Sequence, residues 1–167
     1  KMIIGEKCIE HVPELTVIKM AGWKRTMYYD DTGLSWISPS PNIPDLETAI
    51  LYPGMCLFEG TNVSEGRGTD HPFQYIGAPW IDSSKIIKAM EQKHLPGVVY
   101  EPISFMPISI PGKSLKPKFE NETCYGIKII LLEKNIYKSV ATAAQLLKTI
   151  QELYPEKFQW NDFIYKL

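Results

Sequence analysis

The sequence has few of the features that assign a chain to a special class. Its three cysteines, Cys8, Cys56 and Cys124, are far apart and form no CxxC pair, which argues against a disulfide framework and a zinc site. No apolar run reaches the roughly 18 residues of a membrane span, and the opening residues do not predict a signal peptide. The 18 basic and 19 acidic residues nearly balance, so no strongly basic face is predicted to bind nucleic acid. We therefore expect no metal, cofactor, nucleic-acid partner or membrane span.

What is present indicates a globular chain with one substantial core. The 167 residues are 44% hydrophobic and 22% charged, which is close to the average for globular proteins. This length accommodates one domain and part of a second. The chain begins with Lys1, and its first residues resemble the interior of a protein, so we expect a fragment of a longer one.

Periodicity and capping signals predict helices and strands in both halves. In the first half, residues 15–20 (LTVIKM) favour a strand, and a helix over 46–52 is expected to stop at Pro53-Gly54. Residues 55–60 (MCLFEG) are interpreted as a short buried strand that leads into the following loop. In the second half the pattern predicts a helix from Asp82 or Ser83 to about residue 93, strands over 98–105 and 125–133, and a helix over 139–153.

The loop at residues 59–69 (EGTNVSEGRGT) carries most of the chemical information. Eleven residues contain two carboxylates, one guanidinium, one amide, three hydroxyls and three glycines. Arg67 is one of only two arginines, and its forked guanidinium suits bidentate recognition of a carboxylate or phosphate. A purely structural loop with a Glu65–Arg67 ion pair explains the same residues, as does a glycosidase in which Glu59 or Glu65 is an acid or base. Glu59 is expected to be the more buried carboxylate because it follows the predicted apolar strand.

Other chemistries receive less support from the same region. The loop lacks the Gly-Lys-Ser/Thr of a P-loop and the GxGxxG of a dinucleotide site. Ser64, Asp70 and His71 are close in sequence, but no nucleophile elbow accompanies them. Aromatic residues flank the loop on both sides, and sugar-binding clefts use such rings, although most of them are expected in the core.

Three segments of the first half resemble one bacterial enzyme family. MAGWKR, DDTGLSWISPSPNIPDLETAILYPGMCLFEGTNVSEGRGT and PFQYIGAPWID closely resemble the NamZ-type exo-beta-N-acetylmuramidases, peptidoglycan glycoside hydrolases formerly classed as a domain of unknown function. The similarity is clearest over residues 15–82 and continues more weakly to the end of the chain.

The resemblance implies an α/β fold with two domains and an active-site cleft between them. Residues 1–68 are then the end of a Rossmann-like catalytic domain that carries the loop, and residues 69–167 are a small α+β C-terminal domain. The implied activity is release of N-acetylmuramic acid from the non-reducing end of peptidoglycan fragments during cell-wall recycling, in the periplasm or outside the cell. The family's catalytic acid is expected in an N-terminal Glu-His-Gly motif, which this sequence lacks. We therefore expect an upstream domain in the same protein and no activity from this stretch alone.

The resemblance also suggests roles for particular residues. Muramic acid carries a lactyl carboxylate, for which Arg67 is a suitable partner, and Thr61 and Asn62 are suited to hydroxyl or acetamido groups. Glu59 and Glu65 are candidate catalytic carboxylates that orient the substrate, hold Arg67 or act directly. The remaining candidate substrate-binding residues are Asn42, Ser64 and Trp80. The alternative function is a non-catalytic module that binds peptidoglycan or another carbohydrate, or acts as a scaffold.

Overall fold

A computed structural model describes residues 5, 6, 8, 11 and 14–161. The chain separates into two compact units, residues 1–34 and 35–167. In the first unit, a short 3-10 helix at Tyr29–Thr32 is closed by Gly33 in the left-handed conformation. The predicted strand at 15–20 is wrong: these residues are exposed and form no strand, because no neighbouring strand pairs with them among the described residues of this unit.

The second unit is built on a three-stranded antiparallel sheet. Its strands are β1 (Tyr75–Ala78), β2 (Val98–Phe105) and β3 (Cys124–Leu131), in the order β1-β3-β2. Tyr75 pairs with Lys128, and Val98 pairs with Leu131. The two longer strands confirm the predictions, whereas β1 has only four residues and was not predicted.

Three helices share a hydrophobic core with the sheet. They are α1 (Leu46–Met55), α2 (Ser83–Glu91) and α3 (Ser139–Leu153). Asp45 and Asp82 cap α1 and α2 by accepting hydrogen bonds from backbone N–H groups of the first turn, as short polar residues do at helix starts. The apolar faces of the helices pack on the sheet around a continuous core that includes Leu51, Met55, Ile76, Ile86, Ile127, Ile129, Leu146 and Ile150. This arrangement confirms the predicted mixed α/β class.

Helix α1 does not end where the sequence predicted. It passes through Pro53 to Met55 and continues as a 3-10 helix at Cys56–Gly60, so the strand predicted at 55–60 is wrong. The hydroxyl of Ser139 accepts from Gly54 N (2.8 Å) and donates to Leu51 O (2.7 Å), and it thereby stabilises the last turn of α1. Proline removes a backbone donor, and this contact from α3, 85 residues away in sequence, satisfies groups near the interruption.

Residues 35–68 pack in the same compact unit as the residues that follow them. Their assignment to a preceding Rossmann-like domain, with a boundary after Gly68, stays a prediction about the longer protein.

Candidate functional site

The loop at residues 59–69 is fixed at several points along its backbone. Ser64 and Gly77 of β1 exchange two backbone hydrogen bonds of 2.8 and 3.0 Å. Glu65 O accepts from Phe73 N at 2.6 Å, and Ile108 N donates to Gly68 O at 3.0 Å. The loop therefore presents its side chains from a rigid backbone, as a binding site requires.

Two glycines allow the close packing of this loop. Gly66 and Gly68 have φ of +78° and +80°, values that L side chains rarely adopt. A Cβ at Gly66 would lie 2.9 Å from the carbonyl oxygens of His71 and Tyr75, and one at Gly68 would lie 2.6 Å from Ile108 O. Both positions require glycine for conformation and for space.

Arg67 lies between the two carboxylates of the loop. Its Nη2 donates a hydrogen bond to Glu59 Oε1, and its Nε lies 3.6 Å from Glu65 Oε1. The Arg67 Cζ atom also lies 5.4 Å from the centroid of the Phe73 ring, within cation–π range. Phe73 is fully buried and has a φ of +64°, which is unusual for a bulky residue. The guanidinium is thus held by two carboxylates and an aromatic face.

Lys118 is a site residue that the sequence interpretation missed. Its Nζ donates to Phe58 O (2.7 Å), Val63 O (3.0 Å) and Glu65 Oε2 (2.8 Å). These three acceptors use all three ammonium protons. Lys118 lies more than 50 residues from each of them in sequence, so no local pattern reveals the contact.

Lys118 belongs to a long connection between β2 and β3, residues 106–123, which we call the strap. Connections of this length without helix or strand are uncommon and often functional. The strap packs over the loop, with Ile108 N on Gly68 O, Lys113 Nζ on Thr69 O (3.0 Å), and Lys118 at the far end. The strap is rich in proline and lysine.

A cavity of about 570 Å³ lies between the loop and the strap. Its charged lining comprises two carboxylates and four cations, namely Glu59, Glu65, Arg67, Lys113, Lys116 and Lys118. Subtracting two negative from four positive charges leaves a formal excess of +2. The cavity is therefore suited to a polar ligand that carries negative charge.

The relative burial of the two carboxylates is the reverse of the prediction. The Glu65 side chain is 5% exposed and that of Glu59 is 26% exposed. Glu59 lies at the end of the 3-10 helix rather than after a buried strand. Glu65 is buried because Lys118 and the strap cover it.

Several predicted substrate-binding residues have internal partners. Thr61 Oγ1 donates to Phe58 O (2.8 Å) and accepts from Val63 N (3.1 Å), and Ser64 Oγ accepts from Gly66 N (3.2 Å). Both residues are buried. They shape the loop, and their predicted contacts with substrate remain untested.

The side chain of Asn62 is also hydrogen bonded within the protein. Its Nδ2 donates to Lys157 O at 2.8 Å, and its Oδ1 accepts from Gln159 N at 2.9 Å. The side-chain amide thus joins the loop to the segment after α3, and Asn62 is not part of the cavity lining.

Asn42 and Trp80 lie outside the cavity lining. Asn42 Nδ2 donates to Lys113 O at 2.7 Å, so Asn42 supports the strap. Trp80 packs edge-on against Tyr154, with ring centroids 5.4 Å apart, and Tyr154 Oη accepts from Asp82 N. The structure therefore brings together Glu59, Glu65 and Arg67 of the predicted set, adds three strap lysines, and places Trp80 elsewhere.

A second, smaller cavity of about 340 Å³ adjoins the other end of the loop. Gly68, Thr69 and His71 line it together with aromatic and aliphatic side chains of β1, β2 and the strap. His71 and Tyr75 are in ring contact at 4.9 Å, and Tyr75 contacts Phe105 at 5.5 Å.

Two groups beside the loop have perturbed acidity. Burial, with a smaller contribution from Glu59, raises the pKa of the Tyr52 phenol and of the Cys56 thiol. Both groups consequently hold their protons more strongly than usual. Tyr52 packs edge-on against Phe73, with centroids 4.8 Å apart, and so supports the ring beneath Arg67.

The part of the chain that the structure describes holds neither a cluster of metal ligands nor a membrane-spanning helix. No three His, Cys, Asp or Glu side chains are grouped there so that they could hold a metal ion. No helix among those residues has the length and apolar character needed to cross a membrane.

Comparisons with known proteins agree with the sequence resemblance. Residues 1–47 match the family model described as exo-beta-N-acetylmuramidase NamZ, N-terminal, and residues 50–167 match the corresponding C-terminal model. Over 147 residues the chain is 42% identical to the peptidoglycan beta-N-acetylmuramidase NamZ of Bacillus subtilis (strain 168). The matched region covers 88% of this chain and 34% of that relative.

Solved structures of similar proteins come from Bacteroides fragilis NCTC 9343. One DUF1343 family protein has a TM-score of 0.81 and 30% identity, covering 93% of this chain and 39% of its own. Another DUF1343 family protein has 30% identity and a TM-score of 0.49, with 76% and 31% covered. The first of these supports the fold described above.

The fold is a mixed α/β unit whose cavity combines two carboxylates with four cations, a lining suited to a polar ligand that carries negative charge. The extent of the family matches goes further: the chain belongs to the NamZ family. It spans 34% of the length of the Bacillus subtilis relative.

Proposed function

We propose that the chain is part of an exo-acting glycoside hydrolase that releases N-acetylmuramic acid from the non-reducing end of peptidoglycan fragments. Membership of the NamZ family supports this proposal, together with the 42% identity to a relative named as a peptidoglycan beta-N-acetylmuramidase. The structural observation that carries it is the cavity between the loop and the strap, where two carboxylates lie among four cations.

The chemistry of the cavity fits a muramic acid ring. Such a ring offers hydroxyl and acetamido groups to polar side chains, and its lactyl carboxylate requires a cationic partner. A volume of about 570 Å³ lies within the range of roughly 300–1,000 Å³ typical of small-molecule sites.

The two carboxylates are better suited to stabilising charge or orienting substrate than to donating a proton. A glycosidase acid must hold its proton at the working pH, which is usually achieved in surroundings that disfavour the anion. Here Glu59 is hydrogen bonded to Arg67, and Glu65 is hydrogen bonded to Lys118. In our proposal the general acid comes from another part of the protein, and residues 1–167 alone are inactive.

The architecture of the whole protein follows as part of the same proposal. A Rossmann-like domain contributes the general acid, and the cavity described here forms one wall of a cleft shared by two domains. The enzyme acts in cell-wall recycling, in the periplasm or outside the cell, on saccharides derived from peptidoglycan.

Product analysis on longer saccharides tests the exo-acting mode. The whole protein is incubated with peptidoglycan oligosaccharides that begin with N-acetylmuramic acid, and the products are followed by mass spectrometry. We expect the free monosaccharide and a shortened chain to be the first products. Early release of internal disaccharides would contradict the exo mode. Binding without any cleavage would instead support a non-catalytic carbohydrate-binding module, a function compatible with the engagement of both carboxylates by cations.

A further inference from the structure

We propose that Lys113 and Lys116 of the strap, rather than Arg67, bind the carboxylate of the substrate's lactyl group. This inference rests on the proposed function, since it names the groups that recognise the anionic sugar. It makes the strap the element that distinguishes an N-acetylmuramic acid ring from an N-acetylglucosamine ring.

Arg67 is poorly placed to receive another anion. Its guanidinium is already hydrogen bonded to Glu59 and lies 3.6 Å from Glu65, with Phe73 against it. A substrate carboxylate at this position would be the third carboxylate around one guanidinium. Repulsion between like charges opposes that arrangement, so Arg67 organises the loop instead.

The strap lysines differ in how many of their donors are in use. Lys118 uses all three ammonium protons on Phe58, Val63 and Glu65. Lys113 donates once, to Thr69 O at 3.0 Å. The Lys116 ammonium has no hydrogen-bond or ion-pair partner among the described residues. Lys113 and Lys116 both line the cavity, and among the described residues no carboxylate lies in ion-pair contact with either ammonium group.

The backbone of the strap holds these two lysines in place. Ile110 and Ser114 exchange backbone hydrogen bonds of 2.7 and 2.9 Å around the turn that carries Lys113. Asn42 Nδ2 donates to Lys113 O at 2.7 Å, and Lys116 N donates to Ser109 Oγ at 3.0 Å. Lys116 has a φ of +49°, an uncommon value for a residue with a side chain. Hydrogen bonds within the protein thus hold the strap in place, and such preorganisation lowers the entropic cost of recognition.

A comparison of two substrates tests this assignment in the whole protein. One is the N-acetylmuramic acid–N-acetylglucosamine disaccharide, and the other is its lactyl methyl ester, which lacks the negative charge. We expect the wild type to prefer the acid, and Lys116→Gln and Lys113→Gln each to reduce that preference roughly tenfold through KM, as loss of one charge-assisted hydrogen bond would. Lys88→Gln, on the exposed side of α2 and without a charged partner among the residues that the structure describes, is the matched control and should keep the wild-type preference.

Direct binding separates failure of this inference from failure of the proposed function. Titration calorimetry with free N-acetylmuramic acid and with N-acetylglucosamine requires no catalysis. Weaker binding of only the acidic sugar in both strap variants, with a loss of affinity at high salt, supports the lysine site even if no disaccharide is cleaved. If the strap variants keep the wild-type preference in both assays and Arg67→Gln removes it, the lysine assignment is wrong although the proposed activity stands.

Discussion

Replacing Lys118 by methionine tests whether this residue clamps the loop. Methionine has about the length of lysine and a similar apolar stem, but it has no ammonium group. The substitution therefore removes three hydrogen bonds, to Phe58 O, Val63 O and Glu65 Oε2. Within the described part of the chain, Glu65, whose side chain is 5% exposed, then keeps one cationic neighbour, the Arg67 Nε at 3.6 Å. The variant thus leaves a buried carboxylate without its main partner.

The expected cost follows from the burial of the pair. Removing one member of a fully buried ion pair destabilises a protein by roughly 3–5 kcal/mol. The Lys118 side chain is 24% exposed, so water offsets part of the penalty and about 2–4 kcal/mol is expected. For a chain of this size, a loss of about 3 kcal/mol corresponds to a fall in Tm of roughly 6–12 °C.

Urea and thermal unfolding followed by circular dichroism measure this loss. Lys88→Met serves as the control for removal of an exposed lysine and should stay within about 0.5 kcal/mol of wild type. In a double-mutant cycle with Glu65→Gln, the two substitutions should couple by about 1–3 kcal/mol because the side chains are in contact. A Lys118→Met variant as stable as the Lys88→Met control would refute the clamp.

Three further predictions concern individual residues. Asn62→Ala should lower the free energy of unfolding by about 1 kcal/mol through loss of its two hydrogen bonds to residues 157 and 159. KM in the whole protein should stay near the wild-type value. A raised KM without loss of stability would support the predicted contact between Asn62 and the substrate. Gly68→Ala should destabilise by roughly 1–3 kcal/mol because the new Cβ meets Ile108 O and the strap, and urea unfolding indistinguishable from wild type would show that the strap packs differently. Burial raises the pKa of the Cys124 thiol to about 12 from an ordinary value of 9.0. The contribution of the protonated thiol to stability is therefore complete below pH 9 and is lost as pH rises towards 12. The free energy of unfolding across this range should depend less on pH in Cys124→Ala, and equal pH dependence would argue against a buried thiol.

The sequence predicted those elements whose signals are local. The helix at Ser139–Leu153 and the strand at Val98–Phe105 have the predicted bounds, because each has an apolar pattern of its own and a clear stop. The prediction for residues 55–60 was wrong because a short apolar run fits either a strand or the end of a helix. A hydroxyl of α3, Ser139, supports the helical outcome, and nothing in the local sequence indicates it.

The candidate site was predictable in part for the same reason. Glu59, Glu65 and Arg67 lie within nine residues of one another, so their association could be expected from spacing and charge. The three strap lysines are distant from the loop in sequence, and the sequence does not distinguish them from surface lysines. Their place in the cavity depends on the packing of the strap over the loop; they are Lys113, Lys116 and Lys118. The burial of Glu65 and the internal hydrogen bonds of Asn62 likewise depend on tertiary contacts.

Release of N-acetylmuramic acid from its disaccharide with N-acetylglucosamine is the most direct measurement of the central claim. The assay compares residues 1–167 alone, the whole protein, and whole-protein variants Glu59→Gln, Glu65→Gln and Lys88→Gln. We expect release by the whole protein and by its Lys88→Gln control, reduced release by both glutamate variants, and none from residues 1–167. A whole protein that binds the disaccharide without cleaving it would contradict the enzymatic claim, and full activity of both glutamate variants would remove this cavity from the catalytic site.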